Sequence, residues 1–470
     1  MNRKYIKGTI LLGVTLSIGF TSCQVVNKYK APEIDSENLY RGENPTDTTT
    51  IANIPWREYF KDPLLQAMID EGLNNNFDMR VAAERIKQAE AALFQSRAAY
   101  FPDVAIAGQV SQSRGSATGR GQSSNVLGPH NEQYSLGIAA SWELDVWGKL
   151  NRQQRSKYAD MLNSYAGRNL IQTSLISNIA NSYYSLLALD EQLRVTLESI
   201  ELMQESVTTM EALRDAGMQN SAAVEQMKAS LYQAQATVPD LESNVRQLEN
   251  GICVMLGRKP SPVLRSTLNE QSVPTELAHG VPFQMLAKRP DVRQAELSFR
   301  SAFELTNAAQ ASFYPSITLS TGSMIGYGAA SLSGFFRPEN IFANIIGGIT
   351  QPLFARGQLI TQLKVAKAEQ QAALLNFEKS VLSAGQEVSN IMYTFESSIK
   401  KNDVRAKQVE SLTKAVSYTK ELLNAGEANY LEVITAEQNL LQAQLNQVSD
   451  KLQQLQATSD LYRALGGGIE

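Results

Sequence analysis

The chain has 470 residues, with 43 Lys and Arg against 47 Asp and Glu, a formal net charge of −4 and a 43 % hydrophobic content. That mildly acidic balance leaves no footprint for nucleic acid, and no stretch beyond residue 23 reaches the roughly eighteen apolar residues of a transmembrane helix, so passage through a bilayer would require a closed β-barrel. The two histidines, His130 and His279, stand far from other ligands in sequence, and there is no cysteine pair, phosphate-binding loop or Gly-x-Ser-x-Gly elbow; no catalytic, cofactor or metal site is readable, which argues against an enzyme.

From the start of the chain, residues 1–22 read as a signal peptide. Arg3, Lys4 and Lys7 are its basic end, Ile10 to Phe20 its apolar core, and Thr21-Ser22-Cys23 a small-residue cleavage site. Losing three basic residues takes the net charge from −4 to −7. A Cys directly after small residues resembles a lipoprotein box in which Cys23 is lipidated and becomes the new N-terminus, and Gln24 in place of Asp resembles an outer-membrane destination. The alternative is an ordinary signal peptide with an incidental Cys. On the first reading, residues 23–61 form a lipid-anchored segment and Cys253, left without a disulfide partner, is a small buried hydrophobe.

Next comes a module that occurs twice. Asp78-Met79-Arg80 is answered 213 residues on by Asp291-Val292-Arg293, and Tyr100-Phe101-Pro102 by Phe313-Tyr314-Pro315. Gly148-Lys149-Leu150 is answered 209 residues on by Gly357-Gln358-Leu359, and Ala216-Gly217 by Ala425-Gly426. Markers that keep nearly one offset define an internal repeat, and the drop of four places the difference in one loop. Repeat 1 covers 62–257 and repeat 2 covers 282–467, joined by a connector over 258–281. Each is expected to hold a helix, two strands and a long helical hairpin.

The strands are read from period two. Tyr134, Leu136, Ile138, Ala140, Trp142 and Leu144 alternate with Ser135, Gly137, Ala139, Ser141, Glu143 and Asp145. Strands are expected at 104–113, 133–145, 316–327 and 341–352, a length that suits an outer-membrane barrel wall. Ser113 to Asn131 and the shorter Gly328 to Asn340 would be external loops. Phe101, Trp142, Trp147 and Tyr314 cluster at the opposite strand ends, either as an interfacial girdle or as helix–strand core. Four strands cannot close a barrel, since even small ones need about eight, so the chain must contribute four strands to a shared wall.

After each strand pair the sequence is free of Pro for long spans. Leu150 to Ala212 would make a helix roughly 95 Å long. Leu231, Ala234, Val238, Leu241, Val245, Leu248, Ile252 and Met255 recur in steps of three and four, as do Phe377, Val381, Ala384, Val388, Ile391 and Phe395, which predicts coiled-coil packing. Pro239 should kink or break its helix. Ala216-Gly217 and Ala425-Gly426 mark the two hairpin tips, with Gly at the left-handed position that ends a helix.

Trp142-Glu143-Leu144-Asp145-Val146-Trp147-Gly148-Lys149, Phe101-Pro102, Tyr314-Pro315, and the run from Ala425 to Ala436 together resemble the TolC-like outer-membrane efflux channels, in their lipoprotein (NodT-type) branch. Trp56 and Asp62-Pro63-Leu64 resemble that family's opening. The resemblance covers roughly 50–467. It implies a mainly α fold with a transmembrane β-barrel: a homotrimer in which three chains build a twelve-stranded barrel and a long periplasmic helical barrel. It also implies a passive exit duct, with a periplasmic adaptor and an inner-membrane pump of the RND type as partners and no cofactor. In the family, acidic residues after the second tip ring the closed aperture. Glu432 matches the first of those positions, and Thr435 stands where some relatives place an Asp. An acidic ring repels itself and favours cations; the alternative for Glu432 is a solvated surface charge. Ala216, Gly217, Ala425 and Gly426 become candidate adaptor contacts, or simply helix caps. The same fold could serve metal ions or secreted polypeptides, and a lipid-anchored coiled-coil scaffold is the reading from another class.

Overall fold

The computed structural model describes residues 27–32, 54–113, 131–272 and 288–469. The expectations for the signal peptide, Cys23, His130 and His279 therefore lie outside the described residues. The chain divides into two compact units.

The first unit comprises 27–32, Lys87–Asn163 and Glu296–Asn376. Its centre is an antiparallel sheet, with β1 (Asp103–Ser113) paired along its full length to β2 (Asn131–Leu144), Ile106 opposite Ile138. The other edge of β2 pairs with β3 (Ser316–Ser320) and β4 (Ile325–Ala329), which in turn pair with β6 (Ile346–Thr350) and β5 (Ile341–Phe342). The sheet is thus four strands wide, with β1 at one edge and β5 and β6 at the other.

The two strands of the second repeat are not the continuous 316–327 and 341–352 that alternation predicts. Ser141 faces Ser320 and Ile138 faces Ile325, so four residues, 321–324, stand opposite only Ala139 and Ala140. This wide bulge is built chemically. The Thr321 amide donates to the Ala140 carbonyl at 3.0 Å, and the Thr321 hydroxyl accepts from the Ala140 amide at 3.0 Å. Gly322 takes a φ of +67°, which favours glycine. On one sheet face the apolar side chains are bare: Ile106 is 83 % exposed and Val110 72 %. A row of such residues on a sheet needs a non-aqueous neighbour.

The second unit comprises the described parts of 33–86, 164–295 and 377–470 and is almost wholly helical. The repeat is visible in element lengths, counted over whole helices, some of which are divided between the two units. Helices α3 (Phe77–Ala98) and α6 (Pro290–Ala311) have 22 residues each. Helices α4 (Lys149–Asp215) and α7 (Gln358–Asn424) have 67 each, and α5 (Ser221–Met255) and α8 (Tyr430–Ala464) have 35 each. Before them lie α1 (Trp56–Tyr59) and α2 (Pro63–Asn75), the latter capped by Asp62. The heptad seams face inward: Leu231, Ala234, Ile252, Phe377, Val381, Ala384, Val388 and Phe395 are buried. Pro239 does not break α5, which is one helix through it. Pro239 lies on the exposed side of α5, one residue past the seam, where the carbonyl it frees can meet water.

Each repeat closes with the same joint. Helix α5 ends on Gly257 and α8 on Gly466, both with positive φ, in the paired turn bonds of a Schellman cap. In repeat 1 the Asn76 amide donates to the Met255 carbonyl at 2.9 Å. In repeat 2, Arg289, 213 positions after Asn76, donates to the Ala464 carbonyl at 2.7 Å. Arg289 is buried and also pairs with Asp291 and Glu387, each at 2.7 Å. Burial opposes the Asp291 charge, but Arg289 outweighs it and holds that carboxyl below its ordinary 3.8.

Candidate functional site at the hairpin tips

The tips are two copies of one construction. Helix α4 ends with Met218 donating to the Leu213 carbonyl at 2.8 Å and Gly217 to Arg214 at 2.9 Å. Helix α7 ends with Glu427 donating to Leu422 at 2.9 Å and Gly426 to Leu423 at 3.0 Å. Gly217 and Gly426 have φ of +76° and +75°, and a Cβ on either would meet nothing within 4 Å. The glycines are there for backbone conformation, not for space. Three residues on, Asn220 caps α5 through the Ala223 amide (2.9 Å) and Asn429 caps α8 through the Leu431 amide (3.2 Å). Ala216, Gly217, Ala425 and Gly426 are all exposed.

Beneath the tips the two hairpins share one apolar core of Met203, Val207, Met210, Val224, Met227, Leu423, Val433 and Ile434. Three of the chain's methionines, Met203 and Met210 of α4 and Met227 of α5, meet here. They are buried, which suits gap-filling packing. Glu432 and Thr435 lie on the exposed side of α8. The Thr435 hydroxyl donates to the Leu431 carbonyl at 2.7 Å, so it is occupied locally. Glu432 sits in the first turn of α8, where a carboxylate also favours the helix N-terminus.

One tie between the hairpins is invisible to reading the sequence straight through. Glu437 is buried; it accepts from the Ser206 hydroxyl of α4 at 2.6 Å and pairs with Lys420 of α7 at 2.9 Å. A signal existed in the repeat register. Glu437 aligns with Lys228 and Lys420 with Glu211, 209 positions earlier, and Lys228 pairs with Glu211 at 2.8 Å. The same bridge occurs in both hairpins with its signs exchanged.

In the first unit, the motif from Trp142 to Lys149 builds the turn from strand to helix. The Trp142 indole donates to the Tyr100 carbonyl at 2.8 Å, and the Trp147 indole to the Pro315 carbonyl at 2.7 Å. Trp147 stacks on Tyr314 with centroids 5.1 Å apart. Asp145 caps α4 by accepting from the Leu150 and Asn151 amides, both at 2.9 Å. Glu143 pairs with Lys149 at 2.5 Å. Phe101, by contrast, is 74 % exposed. The structure thus joins Trp147 to Tyr314, fixes Trp142 through its N–H, and leaves Phe101 bare.

A sheet with bare apolar side chains, joined in one chain to paired helical hairpins of fixed length, defines an outer-membrane channel subunit. The sequence profile of the outer membrane efflux protein family matches residues 68–258 and again 281–467, the two repeats in turn, and the chain belongs to that family. It is 28 % identical over 414 residues to "Probable outer membrane lipoprotein SilC" of Salmonella typhimurium, with 88 % of each chain covered. It is 26 % identical over 462 residues to "Cation efflux system protein CusC" of Escherichia coli (strain K12), covering 97 % of this chain and 99 % of that one. Among solved structures, the outer-membrane channel OprN superposes with a TM-score of 0.87 at 26 % identity, covering 95 % of this chain and 100 % of that one. The fold is therefore mainly α with a transmembrane β-barrel portion, and the protein is an efflux channel of the outer membrane and not an enzyme.

Proposed function

We propose that three copies of this chain close a twelve-stranded barrel and that the assembly is the passive exit duct of a tripartite pump for small toxic organic compounds. The carrying observation is the four-strand-wide sheet with both edges unpaired among the described residues. Unpaired edges are untenable in lipid and are removed by closure, and three such sheets give a barrel of a size known for such walls. Cys23 carries the lipid anchor, in keeping with SilC's description as a lipoprotein. An inner-membrane pump of the RND type and a periplasmic adaptor are the partners, and the adaptor contacts the exposed turns at Gly217 and Gly426. Phe101, Trp142, Trp147 and Tyr314 mark the membrane interface.

In this reading the closed aperture is ringed by Glu432 from each copy, with Thr435 beside it supplying no second charge. Opening is an iris-like movement of the hairpins. It requires an adaptor that binds the open arrangement better than the closed one, and it must disturb the Ser206–Glu437–Lys420 tie. A second cargo class, metal ions, is favoured by the name of the CusC relative.

The test is export in cells lacking their own outer-membrane channel but supplied with this protein's pump and adaptor. Dye and copper accumulation should both be followed. Lower dye accumulation supports the proposal, and lower copper with unchanged dye selects the second cargo class. Gly217→Val with Gly426→Val should leave assembly intact but abolish export, because an L side chain resists the left-handed turn. Normal export by the assembled double variant would remove the tips from the mechanism.

A further inference from the structure

Away from the tips, the second unit contains a cavity of about 870 Å³ between α1, the start of α2, the middle of α4, the segment 266–272 and α8. That is within the usual range for organic ligands. Tyr59, Leu64 and Leu455 give it an apolar wall. The Tyr59 ring is braced from behind by stacking on Tyr462 at 4.4 Å, and its hydroxyl is spent on the Thr458 carbonyl at 2.8 Å. Asp62 is spent as well: it accepts from Tyr183, Ser266 and Gln271 and caps α2. The wall is therefore rigid before any ligand arrives, which lowers the entropy cost of binding.

One group in this wall is not spent. Tyr184 is 6 % exposed, lines the cavity, and its hydroxyl has no hydrogen-bond partner among the described residues. Tyr184 lines the cavity, so a bound molecule can take this hydroxyl as a donor. Burial also pushes its pKa up, so it remains a donor. The lining also includes Glu58 and Glu270 against Lys61, all three exposed and so at the solvent side, together with the Asp62 carboxylate, a negative balance that favours cations.

We propose that this cavity is a binding site for an aromatic organic monocation bearing a hydrogen-bond acceptor. The ring system lies against Tyr59, Leu64 and Leu455. The acceptor takes the Tyr184 hydroxyl, and the positive charge rests at the solvent side with Glu58 and Glu270. The site is separate from the tips and does not depend on how they open.

The probe is rhodamine 6G, which has a fused ring system, one positive charge and an ester carbonyl. Its fluorescence anisotropy is titrated against the full-length protein, assembled in lipid nanodiscs, with empty nanodiscs as the blank. The expected result is saturable binding that Tyr184→Phe weakens about fivefold, the loss of one hydrogen bond. Glu58→Lys should weaken it several-fold in low salt and much less at 1 M salt. Both variants must keep the wild-type melting temperature. Binding no greater than to empty nanodiscs, or equal affinity in wild type and Tyr184→Phe, would overturn the proposal. The first result would also follow if a neighbouring subunit fills the cavity.

Discussion

The two hairpins have the same backbone and opposite charges. Each ends its long helix on a left-handed Gly, opens the next helix with an Asn cap, and braces the pair with one ion pair at equivalent positions. In hairpin 1 that pair is Glu211 with Lys228, and in hairpin 2 it is Lys420 with Glu437. Positions that need a particular φ are the same in both copies, while a charge pair may be exchanged as a unit. The environments then diverge. Lys228 stays partly exposed and shares Glu225 at 3.5 Å, whereas Glu437 is buried and also takes the Ser206 hydroxyl of the other hairpin. Only the second bridge ties hairpin to hairpin. The joints differ in the same sense: a neutral Asn76 in repeat 1 becomes a buried, doubly paired Arg289 in repeat 2. Repeat 2 carries the buried charge in both places.

The sharpest way to break this comparison is at the joints. Arg289→Ala leaves Asp291 without its cation, Glu387 with Arg463 alone and the Ala464 carbonyl without its donor, and should destabilise by about 3–5 kcal/mol. Asn76→Ala at the equivalent place removes the bond to Met255 and the cap on α3 through the Asp78 and Met79 amides, and should lose about 2 kcal/mol. Denaturant melts of the two variants check this, and equal losses would erase the asymmetry. Next in size are the ion pairs. Lys420→Ala strands a buried carboxylate and should lose about 2 kcal/mol, allowing for the part-exposed lysine. Lys228→Ala should lose under about 1 kcal/mol. Exchanging the charges, Lys420→Glu with Glu437→Lys, should recover much of the first loss.

A smaller effect concerns pH. Asp291 has a depressed pKa in the fold, so the unfolded chain binds protons more readily in acid. Its contribution is complete above the ordinary value of 3.8 and is lost as pH falls through the lower folded value. Asp291→Asn should therefore flatten the stability–pH curve below about pH 4 and change its slope little near neutrality. The caps are as modest as the exposed ion pair. Asn220→Ala and Asn429→Ala should each lose about 1 kcal/mol and by similar amounts; a marked inequality in thermal melts would show that the tips are not equivalent constructions.

Much of this was legible in the sequence because it depends on local periodicity. The seam from Leu231 to Met255 and the turns at Gly217 and Gly426 follow from spacing and from glycine's freedom in φ. The strands of repeat 1 were legible for the same reason. The breaks in repeat 2 were not, because the bulge at Thr321 to Met324 depends on a side chain replacing a backbone partner across strands. Of the kink or break expected at Pro239, the continuous α5 excludes the break, and spacing alone does not say that this residue lies on the exposed side. The Ser206–Glu437–Lys420 tie joins residues up to 231 positions apart, and straight reading cannot find it. Aligning the two repeats does expose the exchanged signs.

The central question is whether this chain makes a conducting wall with copies of itself. Purified full-length protein should be reconstituted in a planar bilayer and single channels recorded. The expected result is small, cation-selective steps whose selectivity falls in Glu432→Gln. A membrane that stays silent with correctly folded protein would contradict the account.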